Sequence, residues 1–235
     1  MTQKCRWSVF DSVPAVAEEV ADRISREAAR SISKRCRFRL VLAGGRTPEH
    51  TYRLLSERSE DWARWEIFFG DERCLPASHP ERNSRMAAET WLDQVAVPAE
   101  NIHPIHAEKG AERAAAEYAA LIMKAVPFDM VILGMGEDGH TASLFPGHVH
   151  PGDEWVHAIH HAPKPPPDRV SLSARVLSST RKMLVLVTGQ SKAEAVRRWH
   201  AGDDRLPVSR LTPEGGVDVL LDQLAAVGLD RPDEL

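Results

Sequence analysis

Apolar side chains recur at every third or fourth position between Val13 and Ile32, with charged residues on the opposite side. This spacing predicts a long amphipathic helix. A second helix is predicted to open at Thr47-Pro48, with Thr47 as the N-cap and Pro48 at the first helical position. Further helices are predicted over Ser84–Leu92, Gly110–Val126, Lys192–His200 and Asp218–Val227.

Short runs of consecutive apolar residues separate these helices and predict buried strands. The predicted strands are Arg37–Ala43, Ile67–Phe69, Met130–Leu133, Val156–Ile159 and Leu184–Val187. Unbroken apolar runs that alternate with helices are typical of a mostly parallel sheet covered on both faces. We therefore predict an α/β fold, a doubly wound, Rossmann-like three-layer sandwich, formed as a single domain over residues 1–235.

Four of the predicted strands run directly into glycine and polar or charged residues. The segments that follow them are AGGRTP after Leu42, GDER after Phe69, GMGEDGH after Leu133 and TGQSK after Val187. In open α/β sheets, ligands bind beyond the carboxyl ends of the strands. The sequence therefore predicts one site lined by all four turns.

Composition narrows the possible partners. The chain has 30 Lys plus Arg against 34 Asp plus Glu, a net charge of −4. Proteins that bind nucleic acids or membrane surfaces usually present basic patches, so we expect neither partner. The 3 cysteines show no CxxC spacing, which argues against disulfides and a zinc ribbon and favours the cytoplasm. We expect neither a signal peptide nor a membrane span.

Two of the strand-to-helix turns have features of anion binding. Gly44 and Gly45 allow close approach of the backbone, and the first helical amides, Arg46 and the Thr47 hydroxyl are candidates to hold a phosphate. Lys192 lies near a helix N-terminus, where the helix dipole disfavours a cation unless an anion binds beside it. The alternatives are a tight turn with an ordinary N-cap and a solvated lysine.

Charged residues in the second turn and after the proline-rich segment are candidates for the same site. Asp71 and Arg73 follow a strand, and the planar guanidinium of Arg73 suits a phosphate or an oxyanion. His79 and Asn83, just downstream, are candidates for the same wall. Arg169 follows three consecutive prolines that must form a stiff, extended loop. Alternatively, the acidic and basic residues that follow this strand form only a surface salt bridge.

The segment Gly134–Ser143 contains the densest motif, with His140 two residues after Asp138 and glycines on both sides. Residues two apart do not share a helix face, so we predict a turn that aims His140 into the site. Asp138 or a nearby carbonyl would orient the ring and fix its tautomer. Because histidine is the commonest general base, we predict that role for His140.

A second group of histidines raises the question of a metal. It comprises His148, His150, His157, His160 and His161. Neither an HExxH motif nor a paired Cys/His spacing supports metal binding, so we expect no metal. We expect these residues to lie on a solvated loop and strand edge.

The motifs resemble those of the family of 6-phosphogluconolactonases and glucosamine-6-phosphate isomerases. The matching stretches are LAGGRTP, FFGDERCLP with His79-Pro80 and Asn83, FDMVILGMGEDGHTASLFPG, APKPPPDRVSL and LVTGQSKAEAV. They follow one another from about Leu40 to Val196 and so cover most of the chain. The long central stretch is the most specific of them.

The resemblance implies hydrolysis of 6-phosphoglucono-δ-lactone to 6-phosphogluconate, a step of the oxidative pentose phosphate pathway. By position, it makes His140 the general base that activates water. The cationic contacts would be Arg73, Arg169 and Lys192, and the phosphate cradle would be Gly44, Gly45 and Thr47.

Two positions favour the lactonase over the isomerase. Isomerases of the family resemble DEY where this chain has Asp71-Glu72-Arg73, and they carry a Glu before the Pro-Gly that follows the DGH motif. Phe145 takes that place here. The chain departs from the lactonase pattern Asp-Ser-Asn at one point, since Arg82 stands where the family has Ser.

A lactone is an activated ester, and the chain has no GxSxG motif to supply a serine nucleophile. We therefore expect direct attack of water on a phosphorylated sugar lactone, without a cofactor. Separately, we expect the protein to be a monomer or weak dimer. The alternatives are a glucosamine-6-phosphate isomerase or deaminase, and a non-catalytic sugar-phosphate sensor.

Overall fold

The unbroken apolar runs form the strands of a sheet. The computed structural model describes residues 3–229. The strands are β1 (Cys5–Phe10), β2 (Phe38–Leu42), β3 (Trp65–Phe69), β4 (Asp71–Arg73), β5 (Ile102–His103), β6 (Phe128–Gly134), β7 (Val156–Ile159), β8 (Arg169–Leu172), β9 (Thr180–Val187) and β10 (Val217–Asp222). The helices are α1 (Val13–Arg35), α2 (Arg46–Ser56), α3 (Asn83–Thr90), α4 (Ala111–Ala125), α5 (Ala174–Ser178) and α6 (Ala193–His200).

Seven strands form one parallel sheet in the order β1-β10-β9-β6-β2-β3-β5. The central strand β6 is buried from Phe128 to Leu133, which includes the predicted apolar run Met130–Leu133. This confirms the predicted α/β, doubly wound three-layer fold. Because β2, β6 and β9 are neighbours, the loops after them leave the same edge of the sheet side by side.

The long N-terminal helix is confirmed. Ser12 caps it, since its side chain accepts a hydrogen bond from the backbone of Ala15. Val16, Val20 and Ile24 are buried at helical spacing, and α1 packs against α2 and the strands beneath it. Within residues 3–229, no helix has both the length and the hydrophobicity needed to cross a bilayer.

A small antiparallel sheet stands beside the large one, with the order β4-β8-β7. The predicted strand Val156–Ile159 is confirmed as β7, but β4 and β8 were not predicted. In this sheet Arg73 pairs directly with Arg169. The two sheets meet at Gly70, whose N–H donates to the Leu42 carbonyl and whose carbonyl accepts from Leu172. The small sheet is thereby held at the carboxyl edge of the large one.

The predicted final helix over Asp218–Val227 is wrong, because its first half is strand β10. Val219, Leu220 and Leu221 are fully buried in consecutive positions, between β1 and β9. The apolar run is short and includes valines, so it fits a strand buried on both faces. Its pairing with β1, more than 200 residues earlier in the chain, and with β9 defines it as a strand.

The predicted N-cap of α2 is also wrong. Gly45 is the N-cap, with φ of 109°, and Thr47 lies inside the first turn. The Thr47 hydroxyl instead forms a 2.6 Å hydrogen bond with Thr188, in the turn after β9. Residue 45 is the cap because the backbone turns there with a positive φ, a conformation that favours glycine over any other residue.

Two leucines distinguish the strand from the predicted helix. In a helix over 218–227, Leu220 and Leu224 would share one buried face, whereas here Leu220 is fully buried and Leu224 is 54% exposed. We expect Leu220→Ala to lower the free energy of unfolding in urea by about 2–5 kcal/mol, and Leu224→Ala to change it by less than about 0.5 kcal/mol. Comparable losses at both positions would contradict the strand.

Candidate active site

A cavity of about 330 Å³ lies where the carboxyl edge of the large sheet meets the small sheet. All four predicted turns contribute to it, together with the proline-rich segment before β8. Its lining includes Gly44, Gly45, Asp71, Arg73, Asn83, Met135, Gly136, His140, Lys164, Arg169 and Lys192. Residues far apart in the sequence thus meet in one concave, strongly charged space.

His140 and Asp138 contact each other directly in the loop after β6. The ring Nδ1 of His140 is hydrogen-bonded to Asp138 Oδ1. The loop closes this tightly because residue 136 is glycine: a Cβ on Gly136 would lie 2.0 Å from His140 Nδ1. A carboxylate accepts hydrogen bonds and does not donate them, so Nδ1 carries the proton and Nε2 is left to accept one.

Burial and the attraction between the two side chains together set the charge state of this pair. Burial lowers the pKa of His140 below its ordinary value, against the opposing attraction of the Asp138 carboxylate. Burial also disfavours ionisation of Asp138, but the His140 ring outweighs it and the pKa of Asp138 falls below its ordinary value. At neutral pH the pair is therefore a neutral imidazole held by a carboxylate, as a general base requires.

Arg73 and Arg169 share one wall of the cavity. They are direct cross-strand partners, and both side chains line the cavity. Arg169 is buried, and its Nε and Nη2 donate to the carbonyl oxygens of residues 164–166. Arg73 donates from Nη1 to the carbonyl of Glu81. Like charges directly opposite each other are destabilising, and an anion bound between them would offset that repulsion.

Asp71 connects three segments of the cavity wall. Its Oδ2 accepts a 2.6 Å hydrogen bond from Ser143 Oγ, and its Oδ1 accepts a 3.0 Å bond from Asn83 Nδ2. Asn83 in turn lies against the glycine loop, where a Cβ on Gly44 would come within 1.9 Å of Asn83 Oδ1. Asp71 also partly offsets the positive charge of Arg169.

Two lysines add positive charge to the same cavity. Lys192 ends the turn before α6, and Lys164 lies in the proline-rich segment. Burial lowers the pKa of Lys192, and the charge of Lys164 lowers it further. Lys164 Nζ lies 3.1 Å from Glu137 Oε1, which partly balances the lysines. The cavity is cationic although the whole chain is not.

Arg46 and Thr47 line a neighbouring cavity of about 550 Å³, which shares the glycine loop (Gly44-Gly45) and Lys192 with the first. The glycine loop therefore lines both spaces. Thr47 lines only the second cavity, and its hydroxyl is hydrogen-bonded to that of Thr188.

Two histidine predictions have a different outcome in the structure. His79 lines neither cavity, and its Nδ1 accepts a 3.2 Å hydrogen bond from the Glu81 backbone. His157, expected on a solvated strand edge, is instead buried, with Nδ1 2.7 Å from Glu154 and its ring centroid 5.4 Å from that of His150. Residues of the segment just before β7 thus lie against the His157 ring.

Comparison with known proteins places the fold and the motifs in a family. The profile described as "Glucosamine-6-phosphate isomerases/6-phosphogluconolactonase" matches residues 11–220. The chain belongs to this family. The resemblance stated from the motifs is thereby confirmed.

Relatives within the family are similar over nearly the whole chain. A probable chloroplastic 6-phosphogluconolactonase 3 of Oryza sativa subsp. indica is 32% identical, covering 89% of this chain and 71% of its own. The solved 6-phosphogluconolactonase of Trypanosoma brucei has a TM-score of 0.87 and 28% identity, over 97% of this chain and all (100%) of that one. A monomeric glucosamine-6-phosphate deaminase, 23% identical with a TM-score of 0.81 over 95% and 98% of the two chains, shares the fold.

Sequence reasoning missed Lys164, which lines the cavity, and Ser143, which holds the cavity residue Asp71. Lys164 precedes three prolines, and this stiff setting beside Arg169 was the available signal. Ser143 closes the DGH motif, but only the folded loop brings its hydroxyl to Asp71. Contacts of this kind depend on tertiary pairing and leave no local pattern.

The electrostatics of the pair can be tested by NMR titration. We expect His140 to titrate below about 6.5, the ordinary histidine value. Asp138→Asn removes a charge that raises the pKa of His140, so the midpoint should fall further. Glu137→Gln, at the neighbouring carboxylate, is the control and should shift it much less. A midpoint that rises in Asp138→Asn would contradict the assignment.

Proposed function

We propose that this chain hydrolyses 6-phosphoglucono-δ-lactone to 6-phosphogluconate. The observation that carries the proposal is the Asp138–His140 pair, which faces the same cavity as two cross-strand arginines. A positioned base and a cationic wall are the groups that water attack on a phosphorylated ester needs. The relatives named 6-phosphogluconolactonase support the same substrate.

His140 acts as the general base. Nε2 removes a proton from water, whose oxygen attacks C1 of the lactone and forms a tetrahedral intermediate. The C1–ring oxygen bond then breaks, and the proton on Nε2 passes to the departing C5 oxygen. Asp138 holds the ring and stabilises the imidazolium between these two transfers.

Arg169 stabilises the oxyanion. Arg169 stacks on the Phe145 ring at 5.6 Å, and the same ring lies 4.7 Å from that of His140. The guanidinium and the base therefore flank one aromatic platform. Each well-placed donor of this kind contributes about 3 kcal/mol to the stability of the transition state.

The phosphate lies toward Lys192 and the glycine loop. Lys192 is a half-buried cation whose pKa is lowered by burial and by Lys164, and an anion beside it would relieve both effects. The glycine loop brings backbone close to the same space, and Arg46 stands at its outer side. Binding energy at the phosphate, remote from C1, is then available to orient the reacting ester.

The runner-up activity, aldose–ketose isomerisation with loss of ammonia, fits the cavity less well. Phe145 occupies the position where the isomerases have a glutamate, and it is 1% exposed between His140 and Arg169. That ring leaves no carboxylate there for ring opening. A non-catalytic sensor would not need the Asp138–His140 pair, which favours the enzyme.

Two expectations from the sequence remain proposals. A cytoplasmic location is supported by three free cysteines, Cys5, Cys36 and Cys74, although some relatives are named chloroplastic. The expectation of a monomer or weak dimer also stays a proposal.

Replacing the base tests the chemistry. We expect His140→Ala to lower kcat by about 10²–10⁴-fold, the usual contribution of a positioned base, with KM changed by only a few-fold. The assay uses freshly generated lactone and subtracts spontaneous hydrolysis. His200→Ala, at the exposed end of α6, is the control and should keep the wild-type rate. An unchanged kcat in His140→Ala would rule out this base.

Replacing Lys192 tests the phosphate position. Lys192→Ala should raise KM for the phosphorylated lactone by at least about tenfold, since a charge-assisted contact is worth roughly 1.5–3 kcal/mol. Hydrolysis of unphosphorylated glucono-δ-lactone should change far less. Equal losses on the two substrates would show that Lys192 does not bind the phosphate.

A further inference from the structure

Arg82 is a buried charge outside the cavity. Its side chain is 2% exposed, and Nε lies 3.3 Å from Glu72 Oε2, a carboxylate that is fully buried. Nη1 lies 2.7 Å from Glu108 Oε2, and Nη2 donates a 2.6 Å hydrogen bond to the Ile105 carbonyl. The guanidinium thus lies between the buried Glu72 carboxylate and the segment that contains Ile105 and Glu108.

Glu72 uses its carboxylate to tie β4 to the start of α3. Oε1 accepts from the backbone N–H of Arg73 at 2.9 Å and of Asn83 at 2.8 Å, and Oε2 accepts from Ser84 at 2.8 Å. Arg82 is the buried cation beside this carboxylate. Breaking a buried ion pair leaves an uncompensated charge and is strongly destabilising.

The segments that Glu72 ties together carry one wall of the cavity. Arg73 reaches the cavity from β4, and Asn83 reaches it from α3. Asn83 Nδ2 also donates to the backbone carbonyl of Asp71 at 2.9 Å, in addition to its bond to the carboxylate. A shift of α3 relative to β4 therefore changes the positions of all three side chains.

We propose that Arg82 is a positioning residue: its charge, 3.3 Å from the Glu72 carboxylate but not hydrogen-bonded to it, compensates the buried anion that ties β4 to α3 and so fixes the wall formed by Asp71, Arg73 and Asn83. The role it serves rests on the proposed function. A serine at this position would be too short to reach either carboxylate and would carry no charge, whereas Arg82 contacts Glu72 and also Glu108.

The wall and the base are held mainly by different hydrogen bonds, and the contact between Asp71 and Ser143 is the link between them. Asp138 and His140 lie in the loop after β6, and Gly136 closes that loop through its own backbone hydrogen bonds with His140 and Gly139. Loosening Glu72 therefore disturbs the groups that hold the substrate more than the base. A positioning role predicts a rise in KM with kcat largely kept.

The experiment compares Arg82→Ser, Arg82→Lys and Arg85→Ser with wild type. Arg85 lies in α3, three residues after Arg82. Its side chain is 43% exposed and forms a salt bridge with Glu89 along the helix. We expect Arg82→Ser to raise KM by about tenfold, equivalent to weakening roughly one charge-assisted contact between the wall and the substrate, with kcat within about threefold. Arg82→Lys should give an intermediate KM, and Arg85→Ser the wild-type constants. All rates are measured well below each variant's melting temperature.

A wild-type KM in folded Arg82→Ser would overturn the proposal, as would a fall in kcat alone. If Arg82→Ser does not fold, Arg82→Lys decides: an intermediate KM supports the proposal and a wild-type KM overturns it. If wild type does not hydrolyse the lactone, the proposed function fails separately. The same variants are then titrated calorimetrically with 6-phosphogluconate, and an unchanged Kd would overturn the positioning role.

Discussion

The cross-strand pairing of Arg73 and Arg169 is the interaction on which the rest of the site depends. Two guanidinium groups held on one wall repel each other, and the fold must supply the forces that keep them together. Backbone bonds of the small sheet and the carbonyls of the proline-rich segment do so. Asp71 offsets part of the charge. The resulting wall favours a bound anion before any substrate arrives.

The order of strands places the base opposite this wall. Because β6 lies between β2 and β9, the loop with Asp138 and His140 leaves the sheet beside the glycine loop and the turn with Lys192. Gly136 lets the loop close around the pair without a side chain in the way. Catalysis as proposed needs little motion, since base, cations and cradle are already fixed by sheet topology and buried hydrogen bonds.

Local patterns were sufficient for the parts of the fold whose signals are local. The periodicity of α1, the unbroken run of β6 and the Asp138–His140 spacing all predicted what the structure has. Strand β10 was taken for a helix because its burial comes from remote strands. Strand β4 has three charged residues and β8 has only four residues, so their pairing defines both. The ion pairs of Arg82 likewise join segments that no sequence spacing connects.

A crystal structure of the protein with the product, 6-phosphogluconate, tests the assigned positions of the base, the oxyanion site and the phosphate site most directly. We predict that the C5 hydroxyl of the product donates a hydrogen bond to His140 Nε2, that the product carboxylate lies beside Arg169, and that the phosphate lies at Lys192 and the glycine loop. A phosphate bound between Arg73 and Arg169, with the C5 hydroxyl remote from His140, would contradict these assignments.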